Sequence, residues 1–455
     1  METNVGVGRV VNLTLRLRSA ILSMVFSERL LIARRRMAEA RRRLFGRPHI
    51  VSVFLQLDDP YSYLLCHYLP EFAAHYDVEL RLYLTEAITG EMRPAPELYP
   101  EYVVSDCERL ARELGIPFLD KGNAPPVEHR LALLDALAAI DGSADFDKEL
   151  MDTIAAFWRG DARSAALRAE ARGVAGGAVA LLKRTQRHLR KLGHYNTAML
   201  HYGGEWYWGV DRLHYLTTRL DDLAANREAG MPARIASIAQ VMHAGLPVKP
   251  PDGAKGLPPL EFFHSFRSPY SYLALQRYME IADAFGLELR FRPVMPMVMR
   301  GMQVPKTKLL YIAADASRES RRLGIPFGKM ADPVGAGVER CMAVLQYAIE
   351  EKREREFLTN AGIAIWSKAI DVSSDAGLRK VTAKTGLFWP AAKSSIEDNE
   401  WRNQADENRQ SMMQSGSWGV PTIRLGDFTT WGQDRDWLLV RHLEQLCDTG
   451  DGILV

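Results

Sequence analysis

Cysteine is scarce in this chain. Its 455 residues include four, Cys66, Cys107, Cys341 and Cys447, and no two form a Cys-x-x-Cys pair. None stands at zinc-ligand spacing with histidine, so no metal site is expected. Such sparse use suits a reducing compartment and small buried apolar side chains. Long apolar runs are missing too. None reaches the ~20 residues a membrane span needs. Residues 20–26 (AILSMVF) are short and no small-residue cleavage site follows them, so a signal peptide is not expected. A cytoplasmic protein is therefore expected. Net charge is small at +2, but residues 9–47 carry eleven Arg against two Glu. This arm, 1–47, has apolar residues at helical spacing between Arg34-Arg35-Arg36 and Arg41-Arg42-Arg43. It reads either as a solvated helical leader or as a segment lying peripherally on an anionic membrane surface. No motif with interleaved aromatics accompanies it, so specific nucleic-acid binding is not expected.

What the chain does have is a long internal repeat. Residues 53–65 (VFLQLDDPYSYLL) recur as 262–274 (FFHSFRSPYSYLA), an offset of 209. Tyr102, Asp106, Arg112 and Leu114-Gly115-Ile116-Pro117-Phe118 recur as Tyr311, Asp315, Arg321 and Leu323-Gly324-Ile325-Pro326-Phe327. Trp208-Gly209-Val210-Asp211-Arg212 recurs as Trp431-Gly432-Gln433-Asp434-Arg435. A unit of this length is far too long for a solenoid repeat and reads as a duplicated domain.

The first copy is expected over 48–235, a linker over 236–257 with an extended Pro/Gly-rich stretch at 247–259, and the second copy over 258–447. In the first, strands are expected at 49–57, 78–84 and 197–202, with a helical stretch over 97–192 and a last helix capped by Asp211. The second has strands at 260–266, 287–293, 421–425 and 428–431, helices over 306–414, and helices starting at Ser268 and Asp434. The order β-α-β, helices, β-β-α predicts an α/β chain of two tandem thioredoxin-like domains, each with an all-helical insertion.

Ser268-Pro269-Tyr270-Ser271 stands where a strand ends and a helix begins, a place that favours negative charge. A thioredoxin-type enzyme would carry its two cysteines here; this chain has two serines. No disulfide forms between them, but a hydroxyl can donate to a thiolate that a ligand brings, helped by the neighbouring Arg267. Ser268 also reads as a plain helix cap. The first copy has Asp58-Asp59 in place of Arg267-Ser268: a good cap, with negative charge where the thiolate would sit. Gly419-Val420-Pro421-Thr422 is a second constellation. Its proline heads a strand, cannot donate to the ladder, and has the cis form open to it. Asn196-Thr197 stands near the matching place without the proline.

Carried by Phe262 to Leu273, Arg292-Pro293, Lys308-Leu309-Leu310-Tyr311, Leu323 to Phe327, Trp418 to Thr422 and Trp431 to Arg435, the second copy resembles the DsbA-like kappa-class glutathione transferases and 2-hydroxychromene-2-carboxylate isomerases. The resemblance implies that Ser268 contacts the sulfur of glutathione, as co-substrate. It implies Lys308 near the glycyl carboxylate, Val420 (before Pro421) pairing by its backbone with the cysteinyl unit, and Asp434, flanked by Gln433 and Arg435, at the γ-glutamyl end. Ser265 stands where relatives commonly have an acid, and 297–307 lacks an asparagine they often have. Tyr99 replaces Lys308 in the first copy.

The function expected is a glutathione-dependent isomerase or transferase acting on a small, electrophilic, aromatic-derived substrate. Two alternatives stay open: a thiol–disulfide oxidoreductase using glutathione, and a non-catalytic interaction protein. Because resembling enzymes are often dimers of one copy, either a monomer with an internal pseudo-dimer or a homodimer is expected.

Overall fold

The computed structural model describes residues 19, 23–86, 90–93, 95–118, 127–159, 176–227, 232–242, 245–248 and 251–449. Most of the arm before 23, and 119–126 and 160–175 of the expected helical stretch, lie outside the described residues, as do 228–231, 243–244 and 249–250 around the linker. The chain divides into two compact units, Arg34–Ala244 and Gly245–Val455 with Met1–Ala33.

The first unit begins in helix α1 (Glu28–Leu44) and continues through β1 (His49–Leu55), α2 (Pro60–Cys66), α3 (Leu69–His75) and β2 (Val78–Leu84). Helices α4 (Tyr99–Glu113), α5 (Val127–Ala139), α6 (Phe146–Trp158) and α7 (Ala178–Lys191) follow, then β3 (Met199–Tyr202), β4 (Glu205–Trp208), α8 (Leu213–Asp221) and α9 (Ala233–Met242). The strand order is β2-β1-β3-β4, with β1 parallel to β2 and the other pairings antiparallel. Asp59 caps α2 and Pro60 opens it. The helix breaks before α3 because Pro70, in the first turn of α3, has no N–H to offer the turn before it.

The second unit has the same plan: β5 (Leu260–His264), α10 (Pro269–Phe285) and β6 (Leu289–Pro293), then α11 (Lys306–Leu323), α12 (Ala336–Glu350), α13 (Glu354–Trp366), α14 (Asp375–Thr385), α15 (Trp389–Ser395) and α16 (Glu400–Gln414). It closes with β7 (Thr422–Leu425), β8 (Phe428–Trp431) and α17 (Asp436–Thr449), in the strand order β6-β5-β7-β8. Met279 stands where Pro70 does, and α10 runs unbroken through it. The core of this unit joins the sheet (Phe262, Ile423) to α10 (Tyr278, Ile281), the helical stretch (Leu345, Phe357) and α17 (Leu443).

Equivalent residues pair alike in the two sheets. Val51 faces Leu80 as Leu260 faces Leu289, and Phe54 faces Met199 as Phe263 faces Thr422. The offset is 209 at β1 and β5 but 223 at β3 and β7, so the second copy carries the longer helical stretch.

Three expectations change. Asp211 lies inside a 3-10 turn, Val210–Arg212, that leads into α8, whose N-cap is Arg212, and α17 starts at Asp436 rather than Asp434. Residues at the head of the expected linker instead form α9, whose Ile235 and Ile238 are buried. Downstream, Ala254 enters the second core and Gly253 lies so close to the Cys447 backbone that an added Cβ would stand 2.4 Å from its oxygen. Those apolar side chains are what draws the stretch out of an extended form. No helix among the described residues is long and apolar enough to cross a membrane.

Candidate active site

Ser268 has extended backbone (φ −95°, ψ 114°) and caps α10, its Oγ accepting from the Ser271 N–H at 3.1 Å. The same Oγ donates to the Val420 carbonyl at 3.4 Å. That second bond is long for O–H···O, so the proton is weakly held and free to be redirected. Ser268 is therefore a cap and something more. Val420 precedes Pro421 across a cis peptide bond, and Gly419 before it is tightly enclosed. A Cβ on Gly419 would stand 2.8 Å from the Trp431 indole nitrogen and 3.5 Å from the Met297 methyl. The loop thus meets the α10 terminus on one side and Trp431 and Met297 on the other.

The first copy fills the same place differently. The Asp59 carboxylate accepts from the Tyr61 and Ser62 N–H groups at 3.3 and 3.1 Å, from Ser62 Oγ at 2.7 Å and from Thr197 Oγ1 at 2.9 Å. Burial pushes its pKa up, while these four donors oppose the shift. Thr197 stands where Val420 does, and Ala198, at φ 53°, where Pro421 does. The Gly209 N–H donates to the Ala198 carbonyl at 2.7 Å, as the Gly432 N–H donates to that of Pro421 at 3.0 Å.

The two serines of the second copy separate in role. Ser271 is buried and its Oγ accepts from the Ser265 N–H at 3.3 Å; Ser62 does the same for Gln56 at 3.1 Å. Ser271 is thus part of the shared framework. So are Tyr270, which donates to Asp315 at 2.9 Å as Tyr61 does to Asp106 at 2.8 Å, and Tyr272, which donates to the Pro326 carbonyl as Tyr63 does to that of Pro117. Ser268 is where the copies part.

Arg267, expected beside the thiolate position, also meets an acid. Its guanidinium holds Asp332 through two bonds, at 2.7 and 2.8 Å, so its charge is already matched. Asp58, its counterpart, pairs with Arg130 at 3.3 Å and accepts from Gln56 at 2.9 Å. One ion pair to the helical stretch thus occurs in both copies with its signs exchanged, and Asp58 adds no uncompensated charge to the first site. Neither Asp332 nor Arg130 was found from sequence, since the repeat does not align them.

Lys308 lies in the first turn of α11, and burial pulls its pKa down to about 8. Tyr99, its counterpart, is pushed up by burial. Gln433 is buried, its Nε2 donating to Glu319 at 3.0 Å, while its Oε1 has no hydrogen-bond partner. Glu319 also pairs with Arg322 at 2.8 Å and stands where the first copy has Leu110. That acid in place of Leu was the available signal for it. Asp434 and Arg435 belong to both copies: Arg435 is 2% exposed and donates to the Asp434 carbonyl, as buried Arg212 does to that of Asp211. Of the three candidates here, Gln433 alone is particular to the second copy, Val210 being its counterpart.

The four cysteines form no disulfide among the described residues; Cys66, Cys107 and Cys341 are buried. Burial pushes the Cys341 thiol up to about 12.

Residues 259–444 match the family model of the DSBA-like thioredoxin domain. The 2-hydroxychromene-2-carboxylate isomerase of Pseudomonas putida is 27% identical over 196 residues, 41% of this chain and 95% of that protein. The isomerase of the same name from Pseudomonas sp. (strain C18) is 25% identical over 188 residues, 40% of this chain and 87% of that protein. Among solved structures, a 2-hydroxychromene-2-carboxylate isomerase aligns with 27% identity and a TM-score of 0.37, over 42% of this chain and 96% of its own. Residues 259–444 of this chain are a DSBA-like thioredoxin domain, with relatives named as isomerases.

Proposed function

We propose that the second copy is a glutathione-dependent isomerase acting on a small, electrophilic, aromatic-derived substrate. The observation that carries this reading is the Ser268 hydroxyl, which caps α10 and faces the Val420 carbonyl through a long bond. The named relatives support the reaction class, and the three buried cysteines argue against exchange through the chain's own thiols.

The residues present fit glutathione. The orphaned Oε1 of Gln433 is an acceptor suited to the γ-glutamyl ammonium. Lys308 suits the glycyl carboxylate; with its pKa at about 8 it is mostly cationic at neutral pH, and a carboxylate partner would favour that form further. The Val420 backbone suits pairing with the cysteinyl unit, as an added strand would. When bound, glutathione supplies a thiolate able to add to an electron-poor double bond and leave again after the bond has rotated. Release of the adduct instead would make the same site a transferase.

Ser268 then acts by turning its proton from the Val420 carbonyl toward sulfur. The α10 terminus adds roughly 0.3–1 kcal/mol in favour of negative charge, and a hydrogen bond to a charged group about 1.5–3 kcal/mol. At about 1.4 kcal/mol per pKa unit, a thiol pKa lowered by one or two units is within reach. Arg267 is paired with Asp332, so its charge adds less than that of an unpaired cation would.

The test is the ultraviolet absorbance of bound glutathione thiolate against pH. Its midpoint should be lowest in the native protein, higher in Ser268→Ala, and highest in Ser268→Asp, because a donor to the charged form lowers an acid's pKa and a like charge raises it. If native protein and Ser268→Ala titrate together, Ser268 is only a helix cap and the proposal fails.

A further inference from the structure

Helix α1 contains no buried residue. One side of it is nonetheless held in place. Arg35 turns toward the first unit and grips Glu205 at 2.7 and 2.9 Å, while Arg42 pairs with Glu39 and donates to the Arg47 carbonyl, each at 2.8 Å. With 3.6 residues per turn, Arg35, Ala38, Glu39 and Arg42 share one face. Ala33, Met37, Ala40 and Leu44, at helical i, i+4, i+7, i+11 spacing, share the opposite one. Met37 is 66% exposed and Leu44 79%, and Phe45 just beyond is 58% exposed. Exposed arginines flank this apolar stripe, with Arg36 and Arg43 along one side and Arg34 and Arg41 along the other.

We propose that this outer face of α1 docks on a bilayer surface carrying anionic headgroups. Charge complementarity selects the occupant: residues 28–47 hold eight Arg against two Glu; Glu39 pairs with the chain's own Arg42 and Arg43, and by helical spacing neither acid falls in the stripe. The apolar stripe decides between anions. Phosphates of a nucleic acid would be met by arginines alone and leave Met37, Leu44 and Phe45 in water. A membrane interface takes both, the stripe entering the acyl boundary and the arginines staying at headgroup level. Arg35 and Glu205 fix which side of the helix faces outward, so docking requires no unfolding of the first unit. The proposal is independent of the glutathione site.

The experiment is co-sedimentation of the full chain with vesicles. Phosphatidylcholine vesicles containing about three-tenths phosphatidylserine should retain the protein, and pure phosphatidylcholine vesicles should not. Reversing two flanking charges in Arg36→Glu/Arg41→Glu should weaken retention at least about tenfold, since each basic residue near such a surface is worth roughly fivefold. Met37→Ser/Leu44→Ser should weaken it by about tenfold through the apolar contact. Both variants change exposed side chains, and circular dichroism should match the native protein. Should a variant misfold, the native protein's own salt series decides, because surface attraction fades once the Debye length falls to about 3 Å near 1 M salt. Equal retention by neutral vesicles, no retention by anionic ones, insensitivity to salt, or displacement of the protein from vesicles by single-stranded RNA would each overturn the proposal.

Discussion

Asp59 and Ser268 do the same folding work in the two units and meet different partners. Each caps the first helix after the first strand, and each is followed by Pro-Tyr-Ser. Asp59 gathers four donors, two of them hydroxyls, and closes its site with its own charge. Ser268 accepts one N–H and holds its remaining proton loosely against Val420. Comparing the units sorts every other residue in the same way. Contacts present twice, such as Tyr61 to Asp106 and Tyr270 to Asp315, belong to the fold. Differences that are compensated, such as Asp58 with Arg130 against Arg267 with Asp332, also belong to the fold. The differences that remain are Ser268, Lys308, Gln433 and the Gly419-Val420-Pro421 loop.

The sharpest way to break this sorting is to truncate both caps. Ser268→Ala should lower turnover by about 10²–10³-fold, the scale for removing one donor to a developing anion, with glutathione still retained. Asp59→Ala should leave turnover per folded molecule unchanged and lower the melting temperature of the first unit. Turnover lost in Asp59→Ala at full folding would show that the first copy is no bystander.

Next in size is the enclosed glycine. Gly419→Ala puts a Cβ against the Trp431 indole and should cost about 1–3 kcal/mol by overpacking, read as a lower denaturation midpoint together with weaker glutathione binding. Asn196→Ala at the matching place should change neither. An unperturbed Gly419→Ala would mean the loop yields freely and its enclosure positions nothing.

Lys308 offers a pH test. Its folded pKa, at about 8, lies below the ordinary lysine value near 10.4. Between those values the unfolded chain binds the extra proton, so stability should rise with pH across that window, and Lys308→Met should abolish the rise. Affinity for S-methylglutathione, which has no thiol to ionise, should run the other way, falling as pH passes about 8 and the cation is lost. Isothermal titration at pH 7 and pH 9 should show this in the native protein, with Lys308→Met weak at both and Tyr99→Phe unchanged. Affinity that is flat with pH would remove Lys308 from the carboxylate.

The last comparison tests the shared framework. Tyr61→Phe and Tyr270→Phe each remove a donor to a buried carboxylate and should each cost about 1–3 kcal/mol in their own unit. Equal losses support equivalence of the two contacts; a turnover defect confined to Tyr270→Phe, at full stability, would move Tyr270 from framework to site.

The chain order alone carried the duplication, the strand–helix–strand plan, the cap at Ser268 and its acidic replacement in the first copy. These are local: strand alternation, a cap residue before proline and a repeat offset are written in consecutive residues. What only the tertiary structure decided is which charges are already matched. Arg267 looked like a cation beside the site until Asp332, 65 residues away, was found holding it. Asp58 looked like a charge in the first site until Arg130 was found beside it. Gln433 acquired meaning only when Glu319 was seen to occupy one end of its amide and nothing the other. The reason is that electrostatic interaction depends on distance in space and on burial, and neither follows from neighbours in sequence once a long helical stretch intervenes between the strands.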